Sequence, residues 1–174
     1  MLGQKAVETQ LEELRDKYGE LAVETTEKEV SSSAIETGRR DVREGNTVDV
    51  RVWTTRGNEE VLLVREHDAP EYWIEPGGTV EPGEPIDAAA HREVAEETGI
   101  DCRIAQPRAV RQIVLRDETD PDQSAQFLQV FFNAIYNSGN LSINDDEILD
   151  AQWMTTLPDG FYSHVGTPSE WTDQ

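Results

Sequence analysis

The sequence predicts an α+β sandwich, because several strand patterns surround one strongly marked helix. The strand patterns are alternating or wholly apolar runs, such as residues 47–54 and 127–136. The helix pattern follows a loop rich in glycine and proline and ends before Gly99. Strands gathered around one helix are typical of a layered α+β domain, whereas a doubly wound sheet alternates strands and helices.

The chain of 174 residues divides into three regions by composition. Residues 1–45 form a predicted N-terminal helical arm, residues 46–160 the main domain, and residues 161–174 a C-terminal tail. The tail contains Gly166 and Pro168 and is predicted as loop. The length fits one domain of ordinary size with room for the arm.

The arm begins with an amphipathic helix. Val7, Leu11, Leu14 and Tyr18 lie on one helical stripe, and Gly19 ends it. This stripe either docks on its own domain or mediates a homodimer. Residues 31–33 are three serines that can cap a second short helix through residue 43, although a glycine at position 38 argues against that helix.

The main domain begins with a predicted hairpin. Residues 48–54 alternate between apolar and polar types, a turn is predicted at Gly57–Asn58, and residues 61–64 form a second strand. Further strands are predicted at residues 72–74, 102–104, 109–115 and 148–154, and the most apolar run, 127–136, is predicted as a central strand. Cys102 is predicted as a small strand residue and not a nucleophile, because no histidine lies near it in sequence.

The chain is strongly acidic. Asp and Glu number 36 against 15 Lys and Arg, which gives a formal net charge of −21, and only three of the basic residues are lysines. A surface with this charge repels itself in dilute buffer, and salt screens the repulsion. The composition resembles that of proteins from halophilic archaea, so the sequence predicts adaptation to high salt.

The charge also restricts the partners. An acidic chain has no general attraction to a nucleic acid duplex or an anionic membrane, and a phosphate-bearing substrate would be repelled unless bound cations reverse the local field. No apolar stretch is long enough to cross a bilayer, and the N-terminus lacks the basic and apolar regions of a signal peptide. The sequence therefore predicts a cytoplasmic protein whose phosphate chemistry depends on metal.

One helix carries three acidic residues on one side. Glu93, Glu96 and Glu97 fall within an arc of about 100° at the helical repeat. Ala90 and Val94 border this arc, so the acidic stripe adjoins the apolar face. Carboxylates crowded beside a buried face repel one another, and a hard cation such as Mg²⁺ or Mn²⁺ removes that conflict. The alternative is a solvated acidic helix in a very acidic protein.

The segment around this helix resembles the Nudix box. The box reads glycine, five residues, Glu, seven residues, then Arg-Glu-apolar-any-Glu-Glu-any-Gly-apolar. The matching positions are Gly78, Glu84, Arg92, Glu93, Val94, Glu96, Glu97, Gly99 and Ile100. The flanks are also similar to that family, with Trp73 and 76–78 (Pro-Gly-Gly) before the box, and the likeness covers residues 47–158. The chain is thus identified as a Nudix (MutT-like) hydrolase.

The resemblance implies an α/β/α sandwich with a mixed sheet, and a role for each matched residue. Glu93, Glu96 and Glu97 would hold Mg²⁺ or Mn²⁺ together with the Gly78 carbonyl. Arg92 would orient the acidic cluster. Glu84 would tie the loop to the helix or reach the metal through water, and Gly77 would belong to the same loop. Glu96 is the first candidate for the general base and Glu147 the second, the alternative for Glu147 being a surface loop acid.

The implied reaction is hydrolysis of the diphosphate bond in a nucleoside diphosphate linked to another group X. The main alternative is a nucleotide-binding sensor of the same fold that cuts nothing. An isopentenyl diphosphate isomerase and a plain acidic structural protein are weaker alternatives. The resemblance implies a nucleotide-type small molecule as substrate, with Trp73, Arg111, Phe131 and Trp53 as candidate contacts.

Three titratable residues in and around the box are not among its matched positions. Glu75 occupies a position that is usually apolar in the family, so it is expected either to face solvent or to alter the pocket near the box. His67 and His91 are predicted as surface residues and not as ligands.

Overall fold

A computed structural model describes residues 1–57 and 60–166 of the chain. Three α-helices and six β-strands are present in this part. Their bounds, in chain order, are α1 Gln4–Tyr18, β1 Val23–Val30, α2 Ser32–Glu44, β2 Val48–Arg56, β3 Glu60–Glu66, α3 Ile86–Thr98, β4 Ile100–Asp117, β5 Ser124–Gly139 and β6 Ile148–Met154. The strands form one sheet in the order β1-β4-β5-β2-β3-β6. This mixed sheet with helices confirms the predicted α+β fold class.

The chain contains two compact units. The first comprises Met1–Val50, Thr79–Ala89 and Ala109–Val130. The second comprises Arg51–Gly78, Ala90–Arg108 and Phe131–Gln174. The acidic residues of the box helix, together with the Gly77–Gly78 step, belong to the second unit.

In the first unit, α1 ends where the sequence predicts. Val7, Leu11 and Leu14 are buried, and the Gly19 amide donates to the Arg15 carbonyl at the helix end. Lys17 pairs with Asp87 at 2.7 Å, at the start of α3. These three residues of the apolar stripe of α1 are thus buried within one chain, and the homodimer stays a prediction.

The burial of α1 gives a stability prediction. We expect Leu14→Ala to lower the free energy of unfolding by about 2 to 5 kcal/mol, because it leaves a cavity in a closely packed region. Chemical denaturation at several protein concentrations measures this value. A dimer interface would instead give a loss that depends on protein concentration.

The second helix forms despite its central glycine. Ser31 accepts a hydrogen bond from the Ala34 amide and caps α2. Gly38 is buried, and a side chain there would begin 3.3 Å from the ring of Phe127. The glycine therefore lets α2 approach the sheet closely. The preceding strand β1 was not predicted; it pairs in parallel with β4 over eight residues, Val23–Val30 against Val110–Asp117.

The strand predictions differ in outcome. β2 and β3 form the predicted antiparallel hairpin, although Asn58 of its turn lies outside the described residues. Residues 72–74 were predicted as a strand, but they make only isolated bridges, Val64 with Ile74 and Trp73 with Phe161. The prediction of two strands at 102–104 and 109–115 was wrong, because β4 runs unbroken through Pro107. Proline interrupts a strand only where the sheet needs a hydrogen bond from the N–H group that proline lacks, so Pro107 is compatible with a continuous strand.

The last described residues pack within the second unit. Trp53, Val61, Leu63 and Trp73 form a buried cluster, and Phe161 packs against it, with its ring 5.9 Å from that of Trp53. Residues 161–166 contain no helix or strand, whereas Pro168 of the predicted tail lies outside the described residues.

The net charge of −21 predicts stability that depends on salt. The screening length falls from about 10 Å at 0.1 M salt to about 3 Å at 1 M, so repulsion among surface carboxylates weakens over this range. We expect the unfolding temperature to rise when KCl is increased from about 0.1 to about 1 M. Circular dichroism melts at constant pH measure it, and an unchanged or lower value would contradict adaptation to salt.

Candidate functional site

The Gly77–Gly78 step meets the box helix at Glu97. The Gly77 amide donates to Glu97 Oε2 at 3.1 Å. This carboxylate belongs to a residue that is only 6% exposed, and burial raises its pKa to about 8. Arg51 and the Gly77 amide oppose the rise, whereas the charges of Glu93 and Glu66 add to it. A buried carboxylate beside other carboxylates is an environment that favours a bound cation.

Glu93 contacts Gly78, the next residue of the loop. A methyl group on Gly78 would lie 2.7 Å from Glu93 Oε2 and 2.8 Å from Oε1. The carboxylate of Glu93 therefore occupies the space that any other residue at position 78 would fill. Glu93 and Glu97, four residues apart on α3, thus contact consecutive glycines of one loop.

Arg92 lies between two of the predicted metal-binding carboxylates. Its Nη1 donates to Glu93 Oε1 at 2.8 Å and to Glu96 Oε2 at 2.9 Å. The Glu96 side chain is 56% exposed, unlike that of Glu93. In this arrangement the guanidinium supplies the positive charge between Glu93 and Glu96.

The donor set suits a hard divalent cation, because carboxylate oxygens and a backbone carbonyl are the ligands that Mg²⁺ and Mn²⁺ prefer. Within residues 1–57 and 60–166, no group of three or more His, Cys, Asp or Glu side chains is already gathered closely enough to hold an ion. Glu93 and Glu97 converge on the glycine loop, while Glu96 is engaged by Arg92. The chemistry of these residues fits the ion, and two of the carboxylates contact consecutive residues of the same loop.

Arg51 is a nearby residue that the sequence analysis missed. Its Nη1 donates to Glu66 Oε1 at 3.1 Å and to the Glu75 carbonyl at 3.2 Å. It is also the main positive charge acting on Glu97. Arg51 alternates with buried valines on β2, so the sequence alone assigns it to the other face of a strand without indicating its partners.

Of the two alternatives for Glu75, the structure contradicts a side chain that faces solvent. Glu75 is 2% exposed and pairs with Arg108, and its Oε1 also accepts a hydrogen bond from Ser163 at 2.9 Å. Arg108 lies over the rings of Trp53 and Phe131, at 5.6 and 5.7 Å from their centres. Burial lowers the pKa of Arg108, and the Glu75 charge opposes that change.

The remaining candidates lie in different environments. Trp73 and Phe131 are buried in the second unit, and Arg65 lies over the Trp73 ring at 4.6 Å. Arg111 belongs to the first unit, where its Nη2 donates to Thr26 at 3.0 Å. Glu84 also belongs to that unit, and its Oε2 accepts the Glu81 amide at 3.2 Å, which ties the loop before α3.

Glu147 is exposed, in a turn closed by its own amide, which donates to Asp145 Oδ1 at 2.8 Å. His67 and His91 are exposed, as predicted, and His91 contacts Asp101 at 2.7 Å. Cys102 is buried on β4, and burial raises the pKa of its thiol to about 11, which agrees with an unreactive residue.

Comparison with known proteins identifies the family. The NUDIX domain family matches residues 45–157, which is more than half of the chain, so the chain belongs to the Nudix family. Its residues are 36% identical over 97 positions to the NAD-capped RNA hydrolase NudC of Deinococcus radiodurans, a match that covers 55% of this chain and 31% of that protein. They are 55% identical over 42 positions to diphosphoinositol polyphosphate phosphohydrolase 3-alpha of mouse, covering 24% of this chain and 26% of that protein.

The chain therefore spans about a quarter to a third of the length of these two relatives. Among solved structures, the MutT NUDIX hydrolase of Burkholderia pseudomallei is similar with a TM-score of 0.54 and 26% identity, covering 68% of this chain and 91% of that one. In the described part of the chain, no helix is long and apolar enough to cross a membrane.

Proposed function

We propose that this chain is a hydrolase that uses Mg²⁺ or Mn²⁺ to cut the diphosphate bond of a nucleoside diphosphate linked to another group X. The observation that carries the proposal is the convergence of Glu93 and Glu97 on the Gly77–Gly78 loop. The two relatives named above support it, because NAD-capped RNA and diphosphoinositol polyphosphate both contain a diphosphate linkage.

Each site residue has a role in this proposal. Glu93, Glu97 and the Gly78 carbonyl would hold the ion, and Glu96 would complete the set. A bound divalent ion supplies positive charge to the diphosphate and makes water a stronger nucleophile. Arg92 keeps Glu93 and Glu96 in place through charge-assisted hydrogen bonds.

The proton of the attacking water needs an acceptor. Glu96 is the first choice, because its side chain reaches solvent while Arg92 holds it beside Glu93. Glu147 is the second choice, since it too is exposed. A general base within hydrogen-bond reach of water contributes about 10²- to 10⁴-fold in rate. The base is therefore the residue whose variant, Glu96→Gln or Glu147→Gln, loses this much in kcat without weaker Mn²⁺ binding.

The deciding experiment is an assay with a panel of nucleoside diphosphate derivatives that differ in base and in group X. Each is incubated with Mg²⁺ and with Mn²⁺ at low and high KCl, and the products are identified by mass spectrometry in ¹⁸O-labelled water. Cleavage between the two phosphates, with one labelled product, supports the proposal. Tight nucleotide binding without any product would instead favour the sensor of the same fold.

A further inference from the structure

The backbone is fixed from two sides at Glu75. Its carboxylate pairs with Arg108 and accepts a hydrogen bond from Ser163, and its carbonyl accepts one from Arg51. Arg108 is itself held, because its Nη1 donates to the Gly166 carbonyl at 3.0 Å. Side chains from β2 and β4, together with the segment after β6, therefore meet at one loop residue.

Glu75 lies directly before the loop that contacts the acidic helix. The carbonyl of Pro76 accepts from the Val52 amide at 2.9 Å, the Gly77 amide binds Glu97, and Gly78 faces Glu93. Consecutive Cα atoms are about 3.8 Å apart, so Gly77 and Gly78 cannot move far while Glu75 is fixed. A shift of Glu75 would therefore also displace Gly77 from Glu97 and Gly78 from Glu93.

Stability alone does not account for this buried ion pair. Removing two charges from water is costly, and well-packed apolar residues in their place often leave the stability unchanged or raise it. What charged hydrogen bonds add is a defined direction at the carboxylate, which apolar packing does not provide. The pair is therefore better suited to placing the loop than to stabilising the fold.

We propose that Glu75 is a positioning residue for the candidate metal site, anchored by Arg51, Arg108 and Ser163, and that it sets how Gly77 and Gly78 face the box helix. The expected effect of Glu75 on metal binding and catalysis rests on the proposed function. Its expected effect on the position of the Gly77–Gly78 loop does not.

The test uses two variants and a control. Glu75→Leu combined with Arg108→Leu removes both charges and fills the space with apolar atoms. Ser163→Ala removes one hydrogen bond to Glu75 and leaves the ion pair in place. Glu27→Gln is the control, because Glu27 forms an exposed pair with Arg116 in the other unit.

The first measurement is hydrogen exchange of the Gly77 amide in the metal-free protein, followed by NMR. We expect about tenfold faster exchange in the double variant and a smaller increase in Ser163→Ala, with no change in Glu27→Gln and with unfolding temperatures near that of the wild type. If the double variant does not fold, Ser163→Ala alone decides. Unchanged Gly77 exchange in folded variants would overturn the proposal.

The second measurement is Mn²⁺ affinity, determined by electron paramagnetic resonance, with kcat and KM alongside. We expect the dissociation constant for Mn²⁺ to rise by about 10-fold or more in the double variant, as for residues that orient metal ligands. Equal Mn²⁺ affinity in a normally folded double variant would show a purely structural pair and overturn the positioning role. A wild-type protein that cuts no substrate overturns the proposed function instead, and the exchange experiment still decides on Glu75.

Discussion

Glu97→Gln should remove most of the hydrolytic activity while the protein stays folded. Glutamine keeps the oxygen that accepts the Gly77 amide hydrogen bond, but it lacks the charge that attracts a divalent ion. A loss of about 4 kcal/mol of transition-state stabilisation corresponds to about a 10³-fold lower kcat/KM. Steady-state assays at saturating Mg²⁺ give this ratio directly.

Thermal melts separate loss of metal from loss of fold in this variant. Mg²⁺ at about 100 times its dissociation constant should raise the wild-type unfolding temperature by roughly 5 to 10 °C. The Glu97→Gln variant should show little of this rise, and its metal-free unfolding temperature should not be lower near neutral pH, because glutamine is neutral, like the protonated carboxyl that a pKa of about 8 favours. Glu12→Gln, on the exposed face of α1, is the matched control. Near-normal turnover in Glu97→Gln would reject the metal assignment.

Gly78→Ala should have the second largest effect. The added methyl group would lie 2.7 Å from Glu93 Oε2, so the carboxylate must move away. The far end of a side chain can move without unfolding the protein, and a displacement of about 1 Å at a catalytic group can cost about 10²-fold in rate. We expect that loss in kcat/KM, with weaker Mn²⁺ binding and an unfolding temperature close to that of the wild type.

Thr79→Ser is the control for Gly78→Ala. It removes a methyl group from the next loop residue and keeps the hydroxyl that donates to Asp49. Normal activity in the control together with a large loss in Gly78→Ala places the effect at the Glu93 contact. Normal Mn²⁺ affinity in Gly78→Ala would mean that Glu93 does not take part in metal binding.

Much of the fold follows from local sequence patterns. The stripe of Val7, Leu11 and Leu14 and the stop at Gly19 define α1, and the box pattern defines α3, because helix periodicity and helix ends depend on neighbouring residues. The apolar character of the run around Phe131 predicts a central strand, and β5 indeed lies between β4 and β2 in the sheet. These features need no knowledge of distant parts of the chain.

Other features depend on partners that are far away in sequence. The sequence left two environments open for Glu75, because its partners, Arg108 and Ser163, lie 33 and 88 residues further along. β1 was missed because its residues are largely exposed and its order comes from pairing with β4. The site follows the same rule: spacing on one helix predicts three clustered carboxylates, but only coordinates show which of them Arg92 and the glycine loop engage.

The pairing of β1 has a practical consequence for shortened forms of the protein. The family match begins at residue 45, so trimming to it would delete the strand that covers Val110–Asp117. The exposed N–H and C=O groups of β4 would then be free to recruit strands from other molecules, which is a common origin of aggregation. Residues that contribute nothing to the Nudix box thus shield the sheet from self-association.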